Sequence, residues 1–195
     1  MTTIHIRIPI WLDRIFTWPI LMYRRVKYGY SYRRISMGEG KYALVDQKDY
    51  YRLNYYNWTT KGSGERCYAV RLECDSKRMR FVSMHRAIMG RPKGLQVDHR
   101  NRKRLDNRRE NLRTATNSQN QYNKNKTKSK TSSIYKGVTY IKSTGKWRAQ
   151  IMVSRKNIAL GEYDEEIEAA KAYDEGAKKY HGEFARLNLP DAGDK

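Results

Sequence analysis

The sequence is short of acid. Against 41 Lys and Arg it holds only 20 Asp and Glu in 195 residues, which leaves a formal net charge of +21 and a pI near 10.0. A charge that far from zero opposes compaction, and nucleic acid is the commonest polyanion that would neutralise it. A ribosomal-type structural protein and a membrane-surface binder are the blander readings of the same charge. Cysteine is scarcer still. Cys67 and Cys74 make no CxxC pair, so neither a zinc site nor a disulfide framework is supported, and two reduced thiols in a cytosolic protein are expected. Long apolar runs are also missing. The N-terminal "TTIHIRIPIWLDRIFTWPILMYRR" is broken by Pro9, Asp13, Arg14 and Pro19, and falls short of the ~18–20 uninterrupted apolar residues that span a bilayer. No small-residue cleavage site follows a clean apolar core. Ile10, Trp11, Ile15 and Trp18 stand at helical spacing and predict an appended helix-like segment without an assigned role.

What is present is unevenly placed. Tyr is abundant, at 16 residues, and suits surfaces that are half apolar and half wet. Between Arg100 and Lys130 the acids are Asp106 and Glu110, amid a dense run of Lys and Arg. The stretch Glu162 to Glu175 is acid-rich and is expected to face away from a polyanion. From Gly40 to about Ser83, "KYALVD", "RCYAVRLE" and "RMRFVSM" alternate as short strands, with a turn signal in "KGSG" at Lys61–Gly64. "HRAIMG" predicts a short helix stopped by Gly90-Arg91-Pro92. A short strand, Leu95-Gln96-Val97, then leads into Asp98-His99. "NKNKTKSKTSS" reads as a flexible basic linker. Beyond it, "YKGVTYI", "KWRAQIMV" and "KNIALGEY" predict three strands. "DEEIEAAKAYDEGAKKYHG" predicts one amphipathic helix, with Ile167, Ala170, Tyr173 and Ala177 on a face and acids in its first turn.

The strand ending in Asp98-His99 is followed by Asn111 and Asn120, with "MHRAIMG" upstream and "LDNRRENLR" and "TNSQNQYN" downstream. This arrangement resembles the homing-type members of the HNH endonuclease family, over roughly residues 40 to 126. The resemblance implies a ββα-metal nuclease domain in which His99 is the general base, Asp98 and Asn120 are metal ligands, and Asn111 braces the loop that aims His99. The chemistry suits these residue types. Phosphodiester hydrolysis needs a deprotonated water and charge relief on the phosphate, and a His titrating near neutrality is a suitable base. An amide oxygen beside a carboxylate favours Mg²⁺ or Mn²⁺ over zinc. Taken alone, an Asp-His pair is more often a surface salt bridge or a capped turn, and Asn is a common turn residue; the joint spacing and the basic surroundings favour catalysis. His85, in a similar "HR" pair, is read as structural or phosphate-contacting. Arg100, Arg102, Lys103, Arg104, Arg108, Arg109 and Arg113 are expected to grip the phosphate backbone, positioning without specifying sequence. A merely solvated basic face is the plainer alternative.

In the C-terminal part, "YKGVTYIKSTGKWRAQI" and "LGEYDEEIEAAKAYDEGAKKYHGEFARLN" carry YxGV, GKWxAxI, LGxY and AAxAYD elements in order. They resemble the plant ethylene-response-factor (APETALA-type) DNA-binding domain, from Ser133 to Pro190. That family lays a three-stranded antiparallel sheet in the major groove and backs it with a helix. Because alternate strand residues share a face, Trp147, Ala149 and Ile151 should face Ala170 and Tyr173. Lys146, Arg148, Gln150 and Met152 should then face outward, extended by Lys136, Thr139, Lys142, Arg155, Lys156 and Asn157. Arg and Gln can read base edges while Lys meets phosphates. Thr139, Thr144, Met152 and Ala159 depart from the plant pattern, so the plant target site does not carry over. A small basic sheet that binds protein or RNA is the alternative.

The expectation is therefore an α+β chain: a ββα-metal nuclease domain followed by a three-stranded antiparallel sheet packed on one helix. The expected segments are 1–36, basic and aromatic; 37–122, nuclease; 123–132, linker; 133–190, DNA reader; and 191–195, tail. The expected activity is metal-dependent, sequence-tolerant cleavage of double-stranded DNA by a soluble monomer of the homing or mobile-element type. It would be cytoplasmic and nucleoid-associated, with no membrane and no small-molecule substrate. A non-catalytic DNA-binding regulator with a vestigial nuclease centre is the rival.

Overall fold

Strand-forming stretches in this chain are short, so the structure builds several small sheets rather than one large one. The computed structural model describes residues 9–75, 78–126 and 132–189. It divides into one compact unit of residues 1–93 with 101–113 and a second of 94–100 with 114–195. Part of the expected linker, residues 127–131, lies outside the described residues, as do the N-terminal eight residues and the expected tail.

The first unit opens with helix α1 (Ile10–Tyr28), which ends on Gly29 in the left-handed conformation at φ +77°. The helical spacing of its apolar residues is realised, yet none of them is buried. Its tie to the rest of the unit is polar. Asp13 accepts from the Arg33 guanidinium at 2.7 Å and from the Tyr51 hydroxyl at 2.7 Å, and the Arg33 bonds hold its carboxyl below the usual range. Strands β1 (Arg33–Ser36) and β2 (Tyr42–Val45) form an antiparallel pair. Helix α2 (Gln47–Asn54) buries only Asp49 and Leu53. Strands β3 (Thr59–Lys61), β4 (Tyr68–Asp75) and β5 (Arg78–Ser83) make an antiparallel sheet in that order. On β4, Glu73 is gathered by Arg91, Arg80 and Arg71, and the hydrogen bonds from Arg91 and Arg80 pull its carboxyl down to about 2. Helix α3 (Met84–Ile88) buries Met84 and Ile88. The returning segment 101–113 is stitched to β2: the Leu44 N–H donates to the Leu105 carbonyl and the Asn107 N–H to the Leu44 carbonyl, both at 2.8 Å.

Strand β6 (Gln96–His99) belongs to the second unit and forms a two-stranded sheet with β7 (Leu112–Ala115). Helix α4 (Asn117–Tyr122) follows, started by a capping box between Thr116 and Gln119. Strands β8 (Val138–Ile141), β9 (Lys146–Val153) and β10 (Lys156–Tyr163) then form an antiparallel sheet with β9 in the centre. Helix α5 (Glu166–His181) packs on it. Val138, Ala149, Ala169 and Ala170 form one buried cluster, and Ile151, Tyr173 and Ala177 a second. Full burial of a side chain such as Ile151 contributes about 1.5–3 kcal/mol. Gly137, at φ +75°, admits no Cβ because Tyr173 ring carbons would lie 2.1 and 2.3 Å from it. The chain is thus mixed α and β, with two three-stranded and two two-stranded sheets among the described residues. No helix among these residues is long and apolar enough to cross a membrane.

Candidate nuclease centre and nucleic-acid interface

Strand β6 buries both Asp98 and His99, at 8% and 4% exposure, although consecutive strand residues point to opposite faces, so each is covered from its own side. A buried carboxylate needs a hydrogen-bond partner. Asn123 supplies one, its amide nitrogen donating to Asp98 Oδ2 at 2.9 Å and to the His99 carbonyl at 3.1 Å. One amide thereby fixes both the Asp98 rotamer and the backbone that carries the His99 ring. Asn120, expected as a metal ligand, lies on α4 with its amide nitrogen directed at Gln96 Oε1. Asn123 itself was not singled out from the sequence. Its signal was present in "TNSQNQYN", because residues three apart on a helix share a face.

Within the first unit, Asn111 is buried and bridges a loop. Its Oδ1 accepts from the Asn101 N–H at 2.9 Å, and its Nδ2 donates to the Asp106 carbonyl at 2.7 Å. Asp106 accepts from Asn101 Nδ2 at 2.8 Å and takes both arms of the Arg108 fork at 2.8 Å. Burial alone would raise the Asp106 pKa; the Arg108 bonds outweigh it and the net shift is downward. Beside this loop runs a cleft lined by Tyr30, Arg34, Tyr42 and Lys103.

The donors suit a hard cation. Asp98 is a carboxylate with Oδ2 held by Asn123, and the Asn120 side chain carries an amide oxygen. Oxygen donors with few protein ligands fit Mg²⁺ or Mn²⁺ better than zinc. No group of three or more His, Cys, Asp or Glu that could hold a metal ion occurs among the described residues.

The cations expected to grip phosphate separate into two kinds. Arg108 and Arg113 are buried, at 8% and 6% exposure. The Arg108 fork is saturated by Asp106 and stacks 3.4 Å from the Tyr30 ring centroid, so it acts as a clamp inside the fold and not as a surface grip. Arg109 is likewise engaged, bidentate on Asp49 at 2.7 and 2.9 Å. Arg104 donates to the Arg66 carbonyl at 2.7 Å and lies over Tyr68. Arg100, Arg102 and Lys103 are exposed, Arg100 in a pair with Glu183 at 2.7 Å.

On the C-terminal sheet Ala149 and Ile151 point inward while Arg148 and Met152 are exposed. Thr139 lies opposite Arg148, and Asn157 opposite Met152. Lys142, Arg155, Lys156 and Asn157 are exposed and Gln150 is half-buried. Two features differ from expectation. The Lys136 ammonium donates to the Tyr122 and Lys124 carbonyls at 2.6 and 2.8 Å, because its stem reaches the open end of α4. The acid-rich stretch does not wholly face away from the basic sheet: Glu162 pairs with Arg148 at 2.8 Å and Asp164 with Lys146 at 3.2 Å, since β10 lies beside β9.

Comparison with known proteins bears on both parts. A family model described as HNH endonuclease matches residues 88–122, and one described as AP2 domain matches residues 133–183. An uncharacterised HNH endonuclease of Acanthamoeba polyphaga mimivirus is 30% identical over 158 residues, covering 80% of each chain. The AP2-like ethylene-responsive transcription factor TOE2 of Arabidopsis thaliana is 42% identical over 58 residues, which is 30% of this chain and 12% of that protein. The dehydration-responsive element-binding protein 2D of the same plant is 43% identical over 63 residues, 31% of this chain and 30% of its own. The likeness to these plant proteins is thus confined to a small part of their length. No solved structure matches.

Proposed function

The chain belongs to the HNH endonuclease family and carries an AP2 domain, and from that premise we propose that it is a metal-dependent endonuclease that hydrolyses phosphodiester bonds of double-stranded DNA. The observation that carries this reading is the pairing of Asp98 and His99 at the buried end of β6, with one Asn123 amide holding the carboxylate of the first and the carbonyl of the second. In the proposed mechanism His99 accepts the proton of the attacking water. Asp98 and Asn120 would hold Mg²⁺ or Mn²⁺, which when bound supplies charge relief on the phosphate and its leaving oxygen. Asn123 fixes Asp98 Oδ2. Asn111 keeps the loop after His99 in one conformation through its two backbone bonds. On this reading β6, β7 and α4 would serve as the ββα-metal finger, and the sheet β8–β10 on α5 as the major-groove reader.

Exposed Arg102 and Lys103 are assigned to phosphates, Arg100 being engaged by Glu183, and Arg148 and Gln150 to base edges. Lys142, Lys146, Arg155, Lys156 and Asn157 border that surface, and Thr139 and Met152 complete it. With about six phosphates neutralised, affinity should fall roughly a thousandfold between 50 and 200 mM salt. The likeness to plant transcription factors supports a second reading, a DNA-binding regulator without cleavage. Plasmid cleavage with Mg²⁺ by wild type and by His99→Ala separates the two. Salt-sensitive binding without metal-dependent nicking by the wild type leaves only the regulator.

A further inference from the structure

We infer that the C-terminal sheet is docked on the candidate centre and fixes the distance between the DNA it reads and the phosphate that is cut, so that Tyr122, Lys126 and Arg100 are positioning residues. The inference rests on the nuclease reading above. Helix α4 carries Asn120 and leads directly into Asn123, yet it is six residues long and buries no side chain of its own. A helix that short is marginal by propensity, and its capping box contributes about 1 kcal/mol. What holds its far end comes from the sheet part of the same compact unit. The Tyr122 ring stacks on the His181 ring at the end of α5, with centroids 3.7 Å apart and planes 8° from parallel. The Tyr122 hydroxyl accepts from the Ser154 N–H at 3.3 Å, in the turn between β9 and β10. The Lys136 ammonium caps the helix by taking the Tyr122 and Lys124 carbonyls, the favourable placement for a cation. In the other direction, the partly buried Lys126 ammonium donates to the Ser133 and Tyr135 carbonyls at 2.8 and 2.6 Å. Directly after β6, Arg100 follows His99 and reaches Glu183 beyond α5.

Both elements that carry the candidate metal donors are therefore tied to the DNA reader through side chains, not only through the chain. Of these ties the two Lys126 bonds and the Lys136 bond to the Tyr122 carbonyl are partly buried, and leaving such a group without its partner is costly. A tether alone would let the cut wander over the span the chain can reach. A docked reader gives one offset.

Cleavage ends mapped at single-nucleotide resolution on a duplex bearing a selected site test this. A short Gly-Ser insertion between Lys128 and Ser129 should leave the cut at the same base step. The same insertion combined with Tyr122→Ala and Lys126→Met should scatter it. Scatter from the insertion alone, or a single unchanged cut from the combined variant, overturns the docking. If the combined variant fails to fold by circular dichroism, the insertion arm decides. If the wild type binds but never cuts, the nuclease reading fails by itself. Hydroxyl-radical footprints then decide the docking: a footprint unchanged by the insertion supports it, and a lengthened or divided one overturns it.

Discussion

The run from β6 to Asn123 and the sheet from β8 to α5 are held by different forces. The first depends on side-chain amides and ion pairs, with Asn111, Asn123, Asp106 and Arg108 all buried. The second depends on apolar contact, with Ala149, Ile151, Ala170, Tyr173 and Ala177 in its core. Apolar packing is tolerant of chemistry and sensitive to volume. A polar clamp is sensitive to the loss of a single atom, because its partner stays buried. The difference fits the proposed division of labour, in which one region must hold a few groups in fixed geometry and the other presents a surface.

The largest effect expected is on chemistry alone. His99→Ala should lower Mg²⁺-dependent cleavage by about 10²–10⁴-fold, the range for a lost general base, while DNA affinity measured by fluorescence anisotropy stays unchanged. On the sheet, Gln150→Ala should instead relax site selection by roughly 1–3 kcal/mol at one base pair and leave turnover intact. Equal loss of cleavage on every sequence after Gln150→Ala would contradict the assignment of that face to base reading.

Next in size is the clamp beneath the loop. Asp106 and Arg108 have side-chain exposures of 5% and 9%. Breaking such a pair by removing one partner costs about 3–5 kcal/mol, so Asp106→Ala should cut the urea stability of the first unit by that order. Ile151→Ala should cost about 2–5 kcal/mol in the sheet. A loss under about 1 kcal/mol for Asp106→Ala, the range of exposed pairs, would remove the contrast between the two regions.

The regions also differ in how far the sequence disclosed them. In the sheet, β8, β9, β10 and α5 fall where "YKGVTYI", "KWRAQIMV", "KNIALGEY" and the AAxAYD stretch place them, and Ala170, Tyr173 and Ala177 are buried as their spacing predicts; Ile167, expected on the same face, is exposed, and Ala169 is buried instead. Helix α2 gave no such signal. It buries only Asp49 and Leu53, and its anchor is Arg109, sixty residues on. Asn123 is legible only in part: its place three residues after Asn120 can be read from the sequence, but an amide's worth depends on what stands opposite it, and that is set by folding. Arg108 and Arg113 look like their exposed neighbours in sequence because burial of a charge requires a partner that composition does not reveal.

A smaller effect, on metal use, follows from Asn123. Removing a group that orients a ligand typically costs 10–100-fold in metal affinity or activity. Asn123→Ala should raise the Mg²⁺ concentration needed for half-maximal cleavage by about that factor, with DNA binding retained in metal-free buffer. An unchanged Mg²⁺ requirement would assign Asn123 to folding only.

The smallest effect separates the regions by pH. Burial holds His181 below its ordinary value of 6.5, although the Met152 carbonyl at 2.9 Å works against that shift. Its unfolded form therefore binds more protons than its folded form once pH drops below 6.5, and stability falls with pH from there. Asp106 behaves in the opposite chemical sense. Its folded pKa lies below the ordinary 3.8, so its contribution is complete above 3.8 and is lost only as pH falls through the lower folded value. The sheet should thus weaken in mild acid while the clamp does not, with a slope for His181 of at most about 1.4 kcal/mol per pH unit. Urea midpoints from residue-resolved NMR at pH 7 and pH 5 read the two regions separately. His181→Gln should flatten the sheet's slope, and a sheet whose midpoint ignores pH across that interval would show that the ring opposite Tyr122 never has to shed a proton to pack.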